Sequence, residues 1–346
     1  MTSDREQFGR DELAIVLSHY NLGVLEGIRE FPKGSRKAPK LVLKTERGMF
    51  LLKRRARGKD DPYKVAFSHA LQLHLASQNF PLPHLIGTTK DNNSMLQYDG
   101  TIYEIFEYIP GDPYDLSLES TFDSGKTLGV YHKLLAEFNS QWTPPKGSYH
   151  DADACRKGFR HAPRTLGRMP GNESQLGRID AAIKGLADAY EHACAHVVAE
   201  RMADWPEQIT HSDWHPGNML FRQQRVVAVI DYDSARFQQR VTDVANGLLQ
   251  FSILGGNDDP STWPDYFDDA RMKRFLMGYD ASNLITQAEL KVIPWLMIEA
   301  LIAEAVLPIA SSGFFGRIAG LPFCEMIVRK VAWLREHHQD ISQLIA

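Results

Sequence analysis

The stretch from Ile209 to Asp233 constrains this chain more than any other. It reads Ile-Thr-His-Ser-Asp-Trp-His-Pro-Gly-Asn-Met-Leu-Phe-Arg-Gln-Gln-Arg-Val-Val-Ala-Val-Ile-Asp-Tyr-Asp. A short apolar strand leads into a polar loop from His211 to Asn218. A hairpin follows, and its second strand, Val226 to Ile230, ends in Asp231. This order puts His211, Asp213, His215, Asn218, Asp231 and Asp233 at one end of a small sheet. Aliphatic strands with polar tips are how a rigid scaffold positions reactive groups.

The residue types and their spacing suit one chemistry. His-x-Asp followed by Asn five residues after the Asp is the catalytic-loop spacing of protein kinases. Thirteen residues separate Asn218 from Asp231, enough for a strand, a turn and a returning strand that brings the two side by side. Phosphoryl transfer needs a carboxylate to orient a hydroxyl proton and hard oxygen ligands to hold Mg²⁺ on phosphates. Asp213 suits the first role, and Asn218 with Asp231 suits the second. Asp233 either joins the metal or caps and orients, and His215 reads as a hydrogen-bonder that steadies the loop. A zinc or di-metal hydrolase reading of His211-x-Asp213-x-His215 finds no further His/Asp motif in support.

His-Ser-Asp-Trp-His-Pro-Gly-Asn followed by Val-Ile-Asp-Tyr-Asp resembles the aminoglycoside phosphotransferase and choline kinase superfamily. Within it the layout is similar to homoserine-kinase-like and spore-coat-kinase-like members. Ser212 departs from the glycine usual there, which matters if the position needs positive φ. The resemblance implies an α+β, bilobal, protein-kinase-like fold: a small antiparallel β-sheet lobe over residues 1–107 and a larger, mainly helical lobe over 108–346. It also implies ATP and Mg²⁺, a small-molecule hydroxyl as acceptor, and a role for Asp243 in bracing the catalytic loop from beneath. A protein kinase is disfavoured, because no Ala-Pro-Glu segment follows Asp231. The runner-up is a catalytically inactive nucleotide or metabolite binder of the same fold.

In the first lobe, strand-like runs cover Leu22–Phe31, Lys40–Thr45 and Met49–Lys53. The loop between the first two carries Gly34 and Ser35, and backbone N–H groups in such a turn can cover phosphates. Lys53 sits where kinase-like folds place the lysine that binds the α/β-phosphates. Arg54 and Arg55 read as solvated or as guards of the phosphate entrance. Asp60-Asp61-Pro62 starts a helix to about Gln78. In kinase-like folds this helix supplies a glutamate to the lysine, yet no acidic residue occurs between Tyr63 and Asn79. That leaves Lys53 to another partner, with Asp231 as the candidate. Strands at Ser94–Tyr98 and Thr101–Tyr108 complete a five-stranded sheet. Glu107-Tyr108-Ile109-Pro110-Gly111 resembles the family's connector, and implies backbone pairing of Glu107 and Ile109 with an adenine edge.

The remainder reads as helical: Ser120–Ser140, Glu173–Met202, Arg271–Gly278 and Gln287–Ala310, with residues 141–171 as an insertion loop. His132 reads as structural. Asp265, Asp268, Asp269, Glu299 and Glu304 are the acidic groups that could draw a cationic acceptor. The net charge of −4 offers no footprint for nucleic acid. Cys155, Cys194 and Cys324 form no spaced metal motif or disulfide framework. The first twenty residues lack a signal-peptide core. Val292–Ala310 carries Pro294, Glu299, Glu304 and Pro308, and so reads as a buried helix, with no membrane span. The expectation is a cytoplasmic monomer or homodimer.

Overall fold

A computed structural model describes residues 5–345. A short helix, α1 (Arg10–Ser18), precedes a five-stranded antiparallel sheet of β1 (Leu25–Glu30), β2 (Lys40–Thr45), β3 (Gly48–Arg54), β4 (Leu96–Tyr98) and β5 (Thr101–Glu107). The strand order is β1-β2-β3-β5-β4. Helix α2 (Pro62–Ser77) lies between β3 and β4 in sequence. It starts as its sequence requires: Asp61 accepts from the N–H groups of Tyr63 and Lys64, and Pro62 occupies the first turn.

The helical body comprises α3 (Leu118–Leu134), α4 (Asp153–Gly167), α5 (Leu176–Ala199), α6 (Val241–Ser252), α7 (Asp269–Ser282), α8 (Gln287–Ser312), α9 (Gly320–Glu336) and α10 (His338–Ser342). Helix α8 is apolar enough by length and composition to cross a membrane, but 83% of its most apolar window is buried inside the molecule. It is the central post of the body, capped at its start by a reciprocal Thr286–Glu289 box. The site segment adds β6 (Glu207–Thr210), β7 (Met219–Arg222), β8 (Arg225–Val229) and β9 (Arg236–Gln239). β7 pairs with β8, and β6 with β9.

The structure adds to or departs from the sequence reading at three places. Residues 141–171 are more than a loop, because α4 runs through them. Cys155, Phe159, Ala162 and Leu166 repeat at helical spacing and are buried; the Pro, Gly and Arg content masked that stripe. Strand β9 follows the Asp231–Asp233 segment and closes the base of the loop. The last hundred residues also contain a small hairpin, Phe314–Phe315 with Ile318–Ala319.

Helices α3 and α7 pack backbone to backbone. A Cβ on Gly125 would lie 2.0 Å from the Phe275 carbonyl oxygen, and one on Gly278 would lie 2.0 Å from that of Phe122. This explains why α3 buries the small polar residues Ser120, Thr121, Ser124 and Thr127. Ser124 and Thr127 satisfy their hydroxyls on the preceding turn, donating to Ser120 O and Asp123 O. The contact has a consequence for the site, because α7 carries Tyr279 and α3 carries His132, and the two side chains meet at 2.9 Å. Gly278→Ala gains about 1 kcal/mol in helix propensity but forces the helices apart. We expect a net loss of more than about 2 kcal/mol in urea denaturation.

Candidate active site

The loop after β6 is held from below by one carboxylate. Asp243, 1% exposed near the start of α6, accepts the N–H of His211 at 2.6 Å and that of Ser212 at 2.7 Å. His132 Nε2 lies 3.2 Å from the same carboxylate. Ser212 adopts a left-handed φ of +62°, the conformation its usual glycine would take freely. Its hydroxyl compensates by joining Thr210 at 2.9 Å and receiving Gln238 Nε2 at 3.0 Å. The turn therefore survives the exchange of Gly for Ser. His211 is fully buried among Tyr131, Trp214 and Tyr232, and neither ring nitrogen has a hydrogen-bond partner among the described residues. Burial lowers its pKa and outweighs the opposing pull of Asp243, so the ring is neutral at pH 7.

Asp213 projects from this loop. Asn218 Nδ2 donates to its backbone oxygen at 3.0 Å and to its Oδ2 at 2.8 Å. His215 Nε2 lies 3.5 Å from Oδ1, while His215 Nδ1 accepts the Gly217 N–H at 3.0 Å. Burial pushes the Asp213 carboxyl up, but His215 and the Asn218 amide outweigh it and hold the group below the usual carboxylate range. Asp213 is thus ionised at neutral pH. His215 is held above its ordinary value: burial pulls it down, and Asp213 more than reverses that.

The returning strand delivers Asp231. Ile230 N–H donates to Asn218 O at 3.0 Å, so the two segments run together. Asp231 turns left-handed, φ +67°, and its exposed carboxylate makes no hydrogen bond among the described residues. Asn218 spends its amide nitrogen on Asp213, and its Oδ1 accepts no hydrogen bond among the described residues. One free carboxylate and one free amide oxygen are hard donors of the kind Mg²⁺ takes.

Lys53 is where the sequence expectation fails in part. Its Nζ lies 3.3 Å from Glu104 Oε2 and 3.9 Å from Asp233 Oδ2. Its partner is Glu104 on β5, directly across the ladder from Lys53, and Asp231 is not the residue that holds it. Helix α2 still contributes, through His69, whose Nε2 meets Glu104 Oε1 at 2.6 Å. Arg55 is neither solvated nor an entrance guard. It is 6% exposed, and it forms two hydrogen bonds to Glu104 (2.9 and 2.8 Å) and two to Asp233 (both 2.9 Å). Asp233 thus spends both carboxylate oxygens on Arg55. The fully buried Glu104 carboxyl is pushed up by burial, yet Lys53, His69 and Arg55 hold it well below the ordinary glutamate value.

Lys40 was not anticipated. It sits opposite Lys53 in the ladder. Burial and Lys53 lower its pKa, and Asp231 opposes them. Gly34, φ +85°, rests against Lys40: a Cβ there would come within 2.8 Å of Nζ. Ser35 is used within its own turn, its hydroxyl accepting the Lys37 N–H at 3.2 Å. In the connector, the Glu107 N–H is spent on His84 O and that of Tyr108 on Met49 O. The Ile109 N–H has no partner among the described residues.

On its other side Asp213 borders a cavity of about 520 Å³. Ser212, His215, Arg236, Asn246, Gln250 and Glu304 supply its polar wall. Of the five acidic residues singled out in the sequence, only Glu304 faces this cavity. Asp265 pairs with Arg329, Asp268 caps α7 and pairs with Arg271, and Glu299 is fully buried against His150. Asp269 lies in the first turn of α7.

A lysine-bearing sheet over a loop of this geometry defines a kinase-like α+β fold. The aminoglycoside phosphotransferase from Alicyclobacillus acidocaldarius superposes with a TM-score of 0.68 at 17% identity, covering 99% of this chain and 97% of that one. The amicoumacin kinase solved with AMP-PNP and Ca²⁺ gives a TM-score of 0.65 at 12% identity, covering 96% and 94%. The phosphotransferase enzyme family matches residues 27–282, and the chain belongs to it. Among curated relatives it is 22% identical to a homoserine kinase of Granulibacter bethesdensis over 288 residues, 82% of this chain and 81% of that protein.

Removing Glu104 leaves Arg55, Lys53 and His69 facing an uncompensated cavity. Glu104→Ala should cost about 3–5 kcal/mol in chemical denaturation. The depressed pKa sets the pH dependence of Glu104→Gln. Stability from the ionised carboxylate is present above the unfolded-state value and is lost as pH falls through the folded-state value. The stability gap between wild type and Glu104→Gln should therefore be full at pH 7 and shrink progressively below the ordinary glutamate value of 4.5.

Proposed function

We propose that the protein transfers the γ-phosphate of ATP to the hydroxyl of a small amine-bearing acceptor. The observation that carries this is the position of Asp213. It is an ionised carboxylate tied on one side to Asn218, and on the other side it opens into a cavity of metabolite size.

In this reading the nucleotide lies between the lobes, residues 1–107 and 108–346. The Ile109 N–H and a Glu107 backbone oxygen meet the adenine edge. Lys53, set by Glu104, faces the α/β-phosphates, and the turn at Gly34 and Ser35 covers them. Asn218 Oδ1 and Asp231 are the groups that would hold Mg²⁺, which when bound neutralises phosphate charge. Asp213 orients the acceptor hydroxyl. The acceptor oxygen forms its bond to the γ-phosphorus, the bond from that phosphorus to the β,γ-bridging oxygen breaks, and ADP leaves with the electron pair. The hydroxyl proton passes to the Asp213 carboxylate. Positioning and charge supply most of the acceleration in transfer of this kind. Asp243 acts through the loop as a positioning residue, and His211 packs beneath it.

The cavity suggests the acceptor's form. Glu304 and Asp213 offer negative charge to an ammonium group, and Arg236 on the same wall offers a counter-ion to a carboxylate. A hydroxy amino acid such as homoserine satisfies all three, and an amino alcohol satisfies two. The homoserine kinase relatives support the former. Glu104 answers the one sequence feature that favoured a non-catalytic binder, the helix without a glutamate.

ATP consumption, screened over homoserine, amino alcohols, choline and aminoglycosides, tests this reading. Asp213→Asn should lower kcat by about 10²–10⁴-fold and leave nucleotide affinity within a few-fold; near-normal turnover with the true acceptor would refute the assignment. Glu304 adds a pH signature. Burial raises its pKa to about 7, Gln250 donates to it at 2.7 Å, Asp213 adds to the rise and His215 opposes it. For an ammonium-bearing acceptor, kcat/KM should rise with pH through about 7, as the Glu304 carboxylate ionises. Glu304→Gln should flatten that rise and increase KM.

A further inference from the structure

Behind the wall of the acceptor cavity, three side chains from three separate elements converge. Cys194 comes from α5, Glu299 from α8, and His150 from the segment between α3 and α4. The His150 Nδ1 atom lies 3.0 and 2.9 Å from the two Glu299 oxygens, and these ligand atoms and Cys194 Sγ all fall within 4.8 Å of one another. Glu299 and Cys194 are buried, while His150 is 16% exposed at its side chain. No local motif marks this cluster, because the three residues lie 44 and 105 positions apart.

The geometry points to a transition-metal site at His150, Cys194 and Glu299, of the zinc class. Imidazole, thiolate and carboxylate together form a borderline-soft donor set that suits Zn²⁺ and does not suit Mg²⁺. It is therefore chemically distinct from the all-oxygen pair Asn218 and Asp231. Ligand atoms around a tetrahedral zinc stand about 3.4 Å apart, so an ion requires the His150–Glu299 separation to open by only a few tenths of an ångström. Charge also balances. Zn²⁺ binding releases the Cys194 thiol proton to solvent, and the ion then faces one thiolate, one carboxylate and a neutral imidazole protonated at Nε2. The fourth position falls to water on the side where His150 is exposed.

The site would pin a functional segment. Ser148, Tyr149 and Ala152, on either side of His150, line the acceptor cavity. Two further anchors hold the same segment: the Asp151 N–H donates to Glu299 at 3.2 Å, and the Ala152 N–H donates to the Tyr190 hydroxyl at 2.8 Å. An ion here would clamp that wall to helices α5 and α8, independently of whichever acceptor the cavity takes.

The test is metal content and cobalt spectroscopy of the full chain, purified without a histidine tag from zinc-supplemented culture. About one equivalent of zinc should survive dialysis. Replacement by Co²⁺ should give a thiolate-to-cobalt charge-transfer band in the near ultraviolet. Cys194→Ser should abolish that band, and His150→Ala, altering the most exposed ligand, should lower the zinc content if Cys194→Ser fails to fold. Zinc-free protein that takes up no Co²⁺ would overturn the proposal, leaving a metal-free hydrogen-bonded trio. It would equally be overturned by metal that survives in both variants but is lost from His192→Ala/His196→Ala, a pair beside Trp295 and His338 in a surface pocket. None of these readouts depends on catalytic turnover.

Discussion

Two consecutive backbone N–H groups, those of His211 and Ser212, are satisfied by one buried carboxylate, and the candidate site depends on that arrangement. Asp243 can accept both because Ser212 turns left-handed and aims its N–H down beside that of His211. Such a turn costs a non-glycine residue about 1–3 kcal/mol, and it persists because the surroundings over-determine it. The Ser212 hydroxyl is bonded from two directions. His132 adds its ring to the same carboxylate, and Tyr279 fixes His132 in turn. That last contact exists because glycines let α3 and α7 approach at backbone distance. Small residues in α3 and α7 thus help to support the loop that carries Asp213.

The second constraint is electrostatic. A fully buried glutamate is unfavourable unless it is paired, and Glu104 meets three basic side chains. Arg55 then bridges Glu104 to Asp233, linking the five-stranded sheet to the segment that carries Asp231. The lysine of the cleft, the strand glutamate and the second aspartate of the Asp-Tyr-Asp segment therefore form one network. In such a network the loss of a single partner costs more than the pair itself is worth.

Much of this was legible in the sequence. The loop from His211 to Asn218 and the return to Asp231 are readable because their spacing is local and the strands that follow the loop, β7 and β8, are mostly apolar. The five strands of the sheet were readable from turn signals. Helix α4 was missed because proline, glycine and arginine outweighed a buried stripe that does recur at helical spacing. The partner of Lys53 was missed for a different reason. Its pairing is set by cross-strand register between β3 and β5, and a one-residue shift would have sent Glu104 to the opposite face. A lone glutamate inside the mostly apolar run Thr101–Phe106 is the one available sign. Arg55 is hidden for the same reason, since a buried arginine is predictable only once its carboxylates are known. The clustering of His150, Cys194 and Glu299 depends on tertiary packing alone.

The most direct test is calorimetric titration of ATP into wild type and Asp231→Ala, with and without Mg²⁺. A phosphotransferase site built on Asn218 and Asp231 predicts saturable binding to wild type that strengthens sharply when Mg²⁺ is present. It predicts no such Mg²⁺-dependent gain for Asp231→Ala. Equal binding by both proteins, or no binding of ATP or GTP to the folded wild type at millimolar concentration, would contradict the account.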